Sequence, residues 1–175
     1  MAKNLLWPFV VIAGLSLANP SKAALGWTLA ECKAHWDQPI AAPTSTRGQK
    51  QVDFAAHQYR ITVWLTGGKV VRVAYQPQYS TLSEPDLNKL LAANKIGSYA
   101  GWKYTGSDEP TQDHRWTLQQ TDEICLAYAV YVVKHNWFIV YTKEDAERAD
   151  AENSIDAKGL QFRQRLLRLC RYFYS

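Results

Sequence analysis

The sequence predicts an α+β domain in which an antiparallel sheet is packed by short helices, and three observations carry this prediction. Apolar and polar residues alternate from Tyr59 to Leu65 and again from Lys69 to Tyr75, as in strands with one buried face. Two helix start signals, at Thr28 and Ser83, precede the strand-rich segments. The order of a capped helix followed by strands therefore occurs twice, which predicts helix–hairpin units arranged in tandem.

The first residues predict export from the cytoplasm. Lys3 precedes an uncharged, mostly apolar run from Leu5 to Ala18, which is shorter than the roughly 20 residues that a membrane-spanning helix needs. Small residues at Ser21 and Ala23 suit the site that a signal peptidase recognises. We therefore expect a cleaved signal peptide at residues 1–23 and a periplasmic or extracellular location.

The mature chain is predicted to contain one domain and a charged tail. Residues 24–142 form the α+β domain, with a helix–hairpin unit at 24–78 and a helix–strands unit at 79–142. Residues 143–175 form a charged linker and a C-terminal helix. Without the signal peptide, 18 basic and 16 acidic residues remain, and a net charge of +2 gives no reason to expect nucleic acid as a partner.

Each helix start carries the residues that cap a helix. Thr28 is followed three positions later by Glu31, the spacing of a capping box, and the helix is expected from Leu29 to Trp36. Ser83 and Asp86 begin a second helix, which is expected to end at Gly97.

The first hairpin predicts a candidate binding face. A three-residue loop with Gly68 in the left-handed conformation is expected to pair Val63 with Val71, Ile61 with Val73 and Tyr59 with Tyr75. The opposite face then carries Arg60, Thr62, Trp64, Val70, Arg72 and Ala74. A tryptophan flanked by arginines suits contact with a protein or a glycan, so Arg60, Trp64 and Arg72 are the candidate binding residues. The alternative is that the C-terminal helix covers this face.

The second half of the domain predicts further strands. They are expected at Trp116 to Gln120, Ile124 to Val133 and Trp137 to Thr142, with another starting at Gly101. The run from Ile124 to Val133 has little polar interruption, which indicates a central strand that is buried on both faces.

The last segment predicts an amphipathic helix from Leu160 to Phe173. Its basic side carries Arg165, Arg168 and Arg171, opposite an apolar stripe. This helix is expected either to pack on the sheet with a solvated basic face or to contact anionic lipid or an acidic partner.

The cysteines and histidines of the sequence form no recognisable catalytic motif. Cys32, Cys125 and Cys170 predict one disulfide in an oxidising compartment, with the pairing left open. The four histidines lie in separate segments without metal-ligand spacing, so neither a metal nor a cofactor is expected. The sequence does not exclude a pair of catalytic carboxylates like that of a glycosidase, because such a pair can come together in the fold from distant positions.

The N-terminal third also resembles a known family. Gly26-Trp27-Thr28, Glu31, Pro39 and the hairpin with Gly68-Lys69-Val70 are similar to motifs of the small periplasmic domains related to beta-lactamase inhibitor protein and to the small lipoprotein of the outer-membrane assembly machinery. The resemblance covers about Gly26 to Tyr75. It implies a non-enzymatic binding domain whose sheet and loops contact another protein.

These observations together favour a non-catalytic binding protein of the cell envelope, either an inhibitor or an accessory factor that contacts another envelope protein. One alternative is a small secreted hydrolase that acts on envelope polymer. Another is a membrane-surface-associated protein that uses its basic C-terminal helix for peripheral contact.

Overall fold

A computed structural model describes residues 24–46, 48–98 and 100–155 of the 175-residue chain, and in this part eight strands form one antiparallel sheet. The elements are α1 (Leu29–Trp36), β1 (Thr44–Thr46), β2 (Gln49–Ala56), β3 (Tyr59–Thr66), β4 (Lys69–Pro77), α2 (Glu84–Ala93), β5 (Gly101–Ser107), β6 (His114–Gln119), β7 (Cys125–Val132), β8 (Trp137–Thr142) and α3 (Lys143–Ile155). The predicted α+β class is confirmed.

The sheet consists of two four-stranded meanders joined at their last strands. The strand order is β1-β2-β3-β4-β8-β7-β6-β5, so β1 and β5 lie at the two edges and β4 pairs with β8 in the middle. Each of the first two helices precedes four strands and not a single hairpin, so the helix–hairpin unit is not confirmed in the predicted form. No strand was predicted between α1 and Tyr59, where the structure has β1 and β2.

Both predicted helix starts are confirmed as capping boxes. The backbone N–H of Glu31 donates to Thr28 Oγ1 at 3.2 Å, and the N–H of Thr28 donates to Glu31 Oε2 at 2.7 Å. Ser83 and Asp86 make the reciprocal bonds at the start of α2. Because these bonds satisfy N–H groups that the first turn leaves unpaired, they fix where each helix begins.

The inner face of the sheet carries the main core and is covered by α1 and α2. We define this face by Val52, Phe54, Ile61, Val63, Val73, Tyr75, Phe138 and Val140, all of which are buried. From α1, Trp36 reaches Phe54 with ring centroids 5.5 Å apart. From α2, Leu87, Leu90 and Leu91 enter the same cluster.

The outer face carries a second, smaller cluster under α3. Its buried members are Ala74, Tyr128, Val130, Ile139 and Tyr141 from the sheet and Ala146 from the helix. Strand β7 contributes to both clusters, because Ala127 and Ala129 face inward and Tyr128 and Val130 face outward. The prediction of a central strand buried on both faces is therefore confirmed.

The predicted register of the first hairpin is wrong. Val63 lies opposite Val73 and Trp64 opposite Arg72, but Leu65 lies opposite Val70, which leaves Val71 as the extra residue of a β-bulge. The turn has two residues, Gly67 and Gly68, with φ of 58° and 78°, as a type I′ turn requires. The bulge moves Val70, which is 1% exposed, from the predicted outer face into the main core.

The ends of the chain lie outside the described residues. This concerns the predicted signal peptide at 1–23 and the predicted C-terminal helix with Arg165, Arg168 and Arg171. Residues 143–155 form α3, which contacts β4, β7 and β8, within the segment predicted as a charged linker. In the described ranges, no helix has the length and apolar character needed to cross a bilayer.

Candidate functional site

The structure brings two of the three predicted binding residues together on the outer face. Trp64 and Arg72 are cross-strand partners on β3 and β4, and the guanidinium carbon of Arg72 lies 5.4 Å from the centre of the Trp64 ring. This is a cation–π contact. Arg60 lies four residues before Trp64 on the same strand, which places the two about 13 Å apart along the sheet.

Arg60 belongs to a separate ion pair. Its guanidinium donates to Asp53 Oδ2 at 2.6 Å, and Thr62 Oγ1 donates to Asp53 Oδ1 at 2.8 Å. Burial alone would raise the pKa of the Asp53 carboxyl, but the hydrogen bonds from Arg60 and Thr62 and the charge of Arg60 outweigh burial and hold this pKa below its usual value. Arg60 thus stabilises the β2–β3 pair from the outer surface.

Arg72 is occupied by a carboxylate of α3. Its Nε and one terminal nitrogen donate to Asp145 Oδ2 at 2.7 and 2.6 Å, and Gln49 Nε2 donates to Asp145 Oδ1 at 2.9 Å. Arg148 also pairs with Asp145, whose side chain is 0% exposed. Around Arg72 this face is covered by α3, which lies in the segment predicted as a charged linker, whereas the C-terminal helix predicted to cover it lies outside the described residues.

A group of aromatic side chains that the sequence analysis did not single out lies on the inner face near the β5 edge. We call Tyr104, His114 and Trp116 the aromatic cluster. The His114 ring stacks on Trp116 at 6.1 Å, the Tyr104 and Trp116 rings lie 5.6 Å apart, and the Tyr104 hydroxyl is 3.2 Å from His114 Nδ1. Tyr104 remains 51% exposed, so the cluster presents aromatic surface to solvent.

Strand pairing explains how the aromatic cluster forms. Tyr104 on β5 lies opposite Trp116 on β6, and His114 precedes Trp116 by two positions, so all three side chains share one face. Behind them, Trp116 packs edge-on against Phe138, with ring centroids 6.1 Å apart, and His114 stacks on Tyr131. The core therefore holds the cluster in place. The signal in the sequence was the alternation of aromatic residues in both strands.

The backbone edges of the sheet carry features that discourage strand addition. Strand β5 has a bulge between Tyr104 and Gly106, and Lys103 is exposed in its middle. Strand β1 at the other edge has only three residues. Short strands, bulges and lysines are the devices that keep sheet edges from pairing with other chains. The backbone of both edge strands is therefore protected against strand addition.

The four histidines lie in different environments. His35 on α1 packs against Trp27, which precedes the helix, with ring centroids 5.0 Å apart. The ring of His135 lies 6.1 Å from the Trp137 ring. His57 is in the β2–β3 turn, and His114 belongs to the aromatic cluster. Within the ranges that the structure describes, no three His, Cys, Asp or Glu side chains converge as metal ligands would.

One open depression lies between the β2–β3 turn and α2. It has a volume of about 510 Å³, and its lining includes His57, Tyr59, Asp86, Lys89 and Leu90. Asp86 is already used in the helix cap, where hydrogen bonds from Ser83 lower the pKa of its carboxyl. The lining of the depression is therefore mostly apolar, and its carboxylate, Asp86, is engaged in capping α2.

The two described thiols are separate, so the predicted disulfide does not join them. Cys32 and Cys125 are both free. Cys32 lies in the main core on the inner side of the sheet, whereas Cys125 packs against the outer cluster, so the sheet separates them. Burial raises the pKa of the Cys32 thiol to about 12. Cys170 lies outside the described residues.

Comparison with known proteins gives no family for this chain, because no family model and no curated protein matches it. Among solved structures, it is similar to an extracellular protein containing an SCP domain from Bacillus anthracis str. Ames. The identity is 13% and the TM-score 0.42, over 75% of this chain and 49% of that one. It is also similar to a cysteine-rich secretory protein from Staphylococcus aureus subsp. aureus Mu50, with 12% identity and a TM-score of 0.39, over 77% and 52%. The chain spans about half the length of each.

These findings correct the resemblance stated from the sequence. No family model and no curated protein supports the predicted resemblance to domains related to beta-lactamase inhibitor protein and to the small lipoprotein of the outer-membrane assembly machinery, and the similar solved structures are of other kinds of protein, so this prediction is wrong. The motifs behind it have local causes. Gly26-Trp27-Thr28 leads into a helix cap, and Gly68-Lys69 follows from a type I′ turn.

Proposed function

We propose that the protein is an exported, non-catalytic binding domain that recognises another protein of the cell envelope through the aromatic cluster. The observation that carries this proposal is the partly exposed group Tyr104, His114 and Trp116 on a rigid sheet. Tyrosine and tryptophan dominate the binding energy of protein interfaces, because they bury a large area at a small cost in conformational entropy.

The rigidity of the cluster supports this proposal. His114 stacks on Tyr131 and Trp116 packs on Phe138, so both rings are held by the main core before a partner arrives. Preorganised side chains lose little freedom on binding, which favours affinity. Of the binding residues predicted from the sequence, Arg72 pairs with Asp145 and Arg60 pairs with Asp53, so each guanidinium already has a carboxylate partner within the chain.

A quantitative pull-down from envelope extract tests the proposal. Tyr104→Ala is expected to lower recovery of the partner by about tenfold or more, which is the effect of removing an interface hot spot. Tyr79→Ala is the matched control, because Tyr79 is 86% exposed and lies in a loop outside the cluster. Equal recovery by wild type and both variants would contradict the assignment of this surface.

The same preparation distinguishes a binding domain from a hydrolase. Incubated with cell-wall and glycan polymers, wild-type protein is expected to release no soluble product. Release of product that is proportional to protein concentration and time, and that survives Tyr104→Ala, would replace the binding proposal with the hydrolase alternative.

A further inference from the structure

The outer face contains a second feature that the proposed function does not use. We call Gln49, Trp64 and Arg72 the Arg72 site. Gln49 and Arg72 both donate to one carboxylate, that of Asp145, and Trp64, on the strand between theirs, lies against the Arg72 guanidinium. The site is independent of the aromatic cluster, because it lies on the opposite face of the sheet.

The Arg72 site is built to hold a carboxylate. Arg72 donates two hydrogen bonds to Oδ2 of Asp145 and Gln49 donates one to Oδ1, at distances between 2.6 and 2.9 Å. The Trp64 ring lies against the guanidinium and orients it. Charge-assisted bonds of this kind are roughly twice as strong as neutral ones. The side chain of Asp145 is also fully buried.

The carboxylate that the Arg72 site holds belongs to the first turn of a capped helix. Asp145 is the third residue of α3, and its backbone N–H donates to Thr142 Oγ1 at 3.2 Å, as at a capped helix start. The site thus holds the first turn of a helix that begins with a Ser/Thr-x-x-Asp pattern, here Thr142-Lys-Glu-Asp145.

Polar contacts hold the start of α3 on the sheet. Among the side chains described for this helix, Ala146 belongs to the buried apolar cluster, and Asp145 pairs with Arg72 and Gln49 of the sheet and with Arg148 of its own helix. A helix attached in this manner is a replaceable ligand, since another carboxylate can make the same bonds. A helix attached by large apolar side chains would resist exchange.

We propose that the Arg72 site is a recognition site for acidic helix starts, and that α3 occupies it as an internal ligand. A partner protein that presents a Ser/Thr-x-x-Asp helix start displaces Asp145 and takes its place against Arg72 and Gln49. Because α3 competes from within the same chain, the apparent affinity for the partner depends on the fraction of time that α3 is undocked.

Peptide titration of the full-length protein tests this proposal. The probe is a fluorescent peptide that spans residues 142–155, compared with the same peptide carrying Asp145→Asn. Full-length protein with Asp145→Asn, which lacks the internal ligand, is expected to bind the acidic peptide about tenfold more tightly than wild type. The amide peptide is expected to bind neither protein.

Two further variants distinguish binding at the Arg72 site from a non-specific attraction between the acidic peptide and arginines of the outer face. Adding Arg72→Gln to the Asp145→Asn protein is expected to abolish peptide binding, whereas adding Arg60→Gln is expected to leave it unchanged, because Arg60 lies on the same face but pairs with Asp53. Absence of peptide binding by the Asp145→Asn protein, or equal binding after Arg72→Gln, would overturn the proposal.

Hydrogen exchange of the wild-type chain gives a test that does not depend on the folding of a variant. The amides of α3 are expected to exchange faster than those of β4 and β8, because undocking is a local opening. If the amides of α3 exchange at the same rate as those of β4 and β8, the helix undocks only when the whole domain unfolds. That result would also overturn the proposal.

Discussion

At the scale of single residues, a few polar side chains hold the loops of this sheet in place. Asn136 is the clearest case. Its Oδ1 accepts hydrogen bonds from the Leu82 N–H and the Tyr131 hydroxyl, both at 3.0 Å, and its Nδ2 donates to the Ser80 carbonyl at 2.7 Å. One side chain therefore ties the β4–α2 loop to the turn between β7 and β8.

Replacing this residue is expected to destabilise the fold. Asn136→Ala removes three hydrogen bonds and places alanine at a φ of 53°, which asparagine tolerates better. We expect the free energy of unfolding to fall by about 2 kcal/mol, measured by urea denaturation. Lys134→Ala, at an exposed position of the same turn, is the control and is expected to have little effect. Equal losses for both variants would contradict this role of Asn136.

The Asp53–Arg60 pair predicts a dependence of stability on pH. Because the folded pKa of Asp53 lies below its usual value of 3.8, the ionised carboxylate stabilises the protein above that pH. This contribution is lost as the pH falls through the lowered pKa. We therefore expect Asp53→Asn to destabilise the protein at pH 7 and the difference from wild type to shrink below about pH 4. A difference that stays constant between pH 7 and pH 3 would contradict the assignment.

At the scale of elements, the β3–β4 hairpin shows what sequence patterns can and cannot determine. The alternation of apolar residues correctly predicted both strands and the face that Ile61 and Val63 occupy. It failed to predict the register, because a bulge at Val71 shifts the parity between the turn and the rest of the strand. Parity alone cannot distinguish a longer loop from a short turn followed by a bulge.

The two-residue turn predicts that replacing Gly68 costs more stability than replacing Gly101. Gly68 has a φ of 78°, so Gly68→Ala is expected to lower the free energy of unfolding by about 1 kcal/mol because alanine is strained there. Gly101 lies in β5 without a positive φ, and a Cβ added there meets no atom within 4 Å. Gly101→Ala is therefore expected to be nearly neutral. Thermal unfolding of both variants checks this contrast, and an equal loss in both would contradict the turn assignment.

At the scale of the whole molecule, the sequence identified most elements but not the surface on which our proposal rests. The helix caps at Thr28 and Ser83 and the strands of the second meander were predicted because their signals are local. The pairing of β4 with β8 connects distant segments and has no local signal. The same holds for Asp145 reaching Arg72 across 73 positions and for Tyr104 meeting Trp116.

The difference between local and long-range signals explains why the candidate site in the structure differs from the one predicted from the sequence. Parity placed Trp64 and Arg72 on one face, as observed, but could not show that α3 supplies a carboxylate to Arg72. The aromatic cluster emerged only when the register of β5 and β6 placed three rings side by side. A cluster of this kind depends on the pairing of two strands, and the alternation of residues indicates each strand without revealing the bulge that sets their mutual register.

The most direct measurement of the central claim is photo-crosslinking in the producing cell. A photoreactive phenylalanine analogue is placed at residue 104, and in a second strain at residue 103, which lies on the same strand but points to the opposite face. We expect one discrete protein adduct from position 104 that position 103 does not form. No adduct at position 104, or the same adducts from both positions, would contradict recognition through the aromatic cluster.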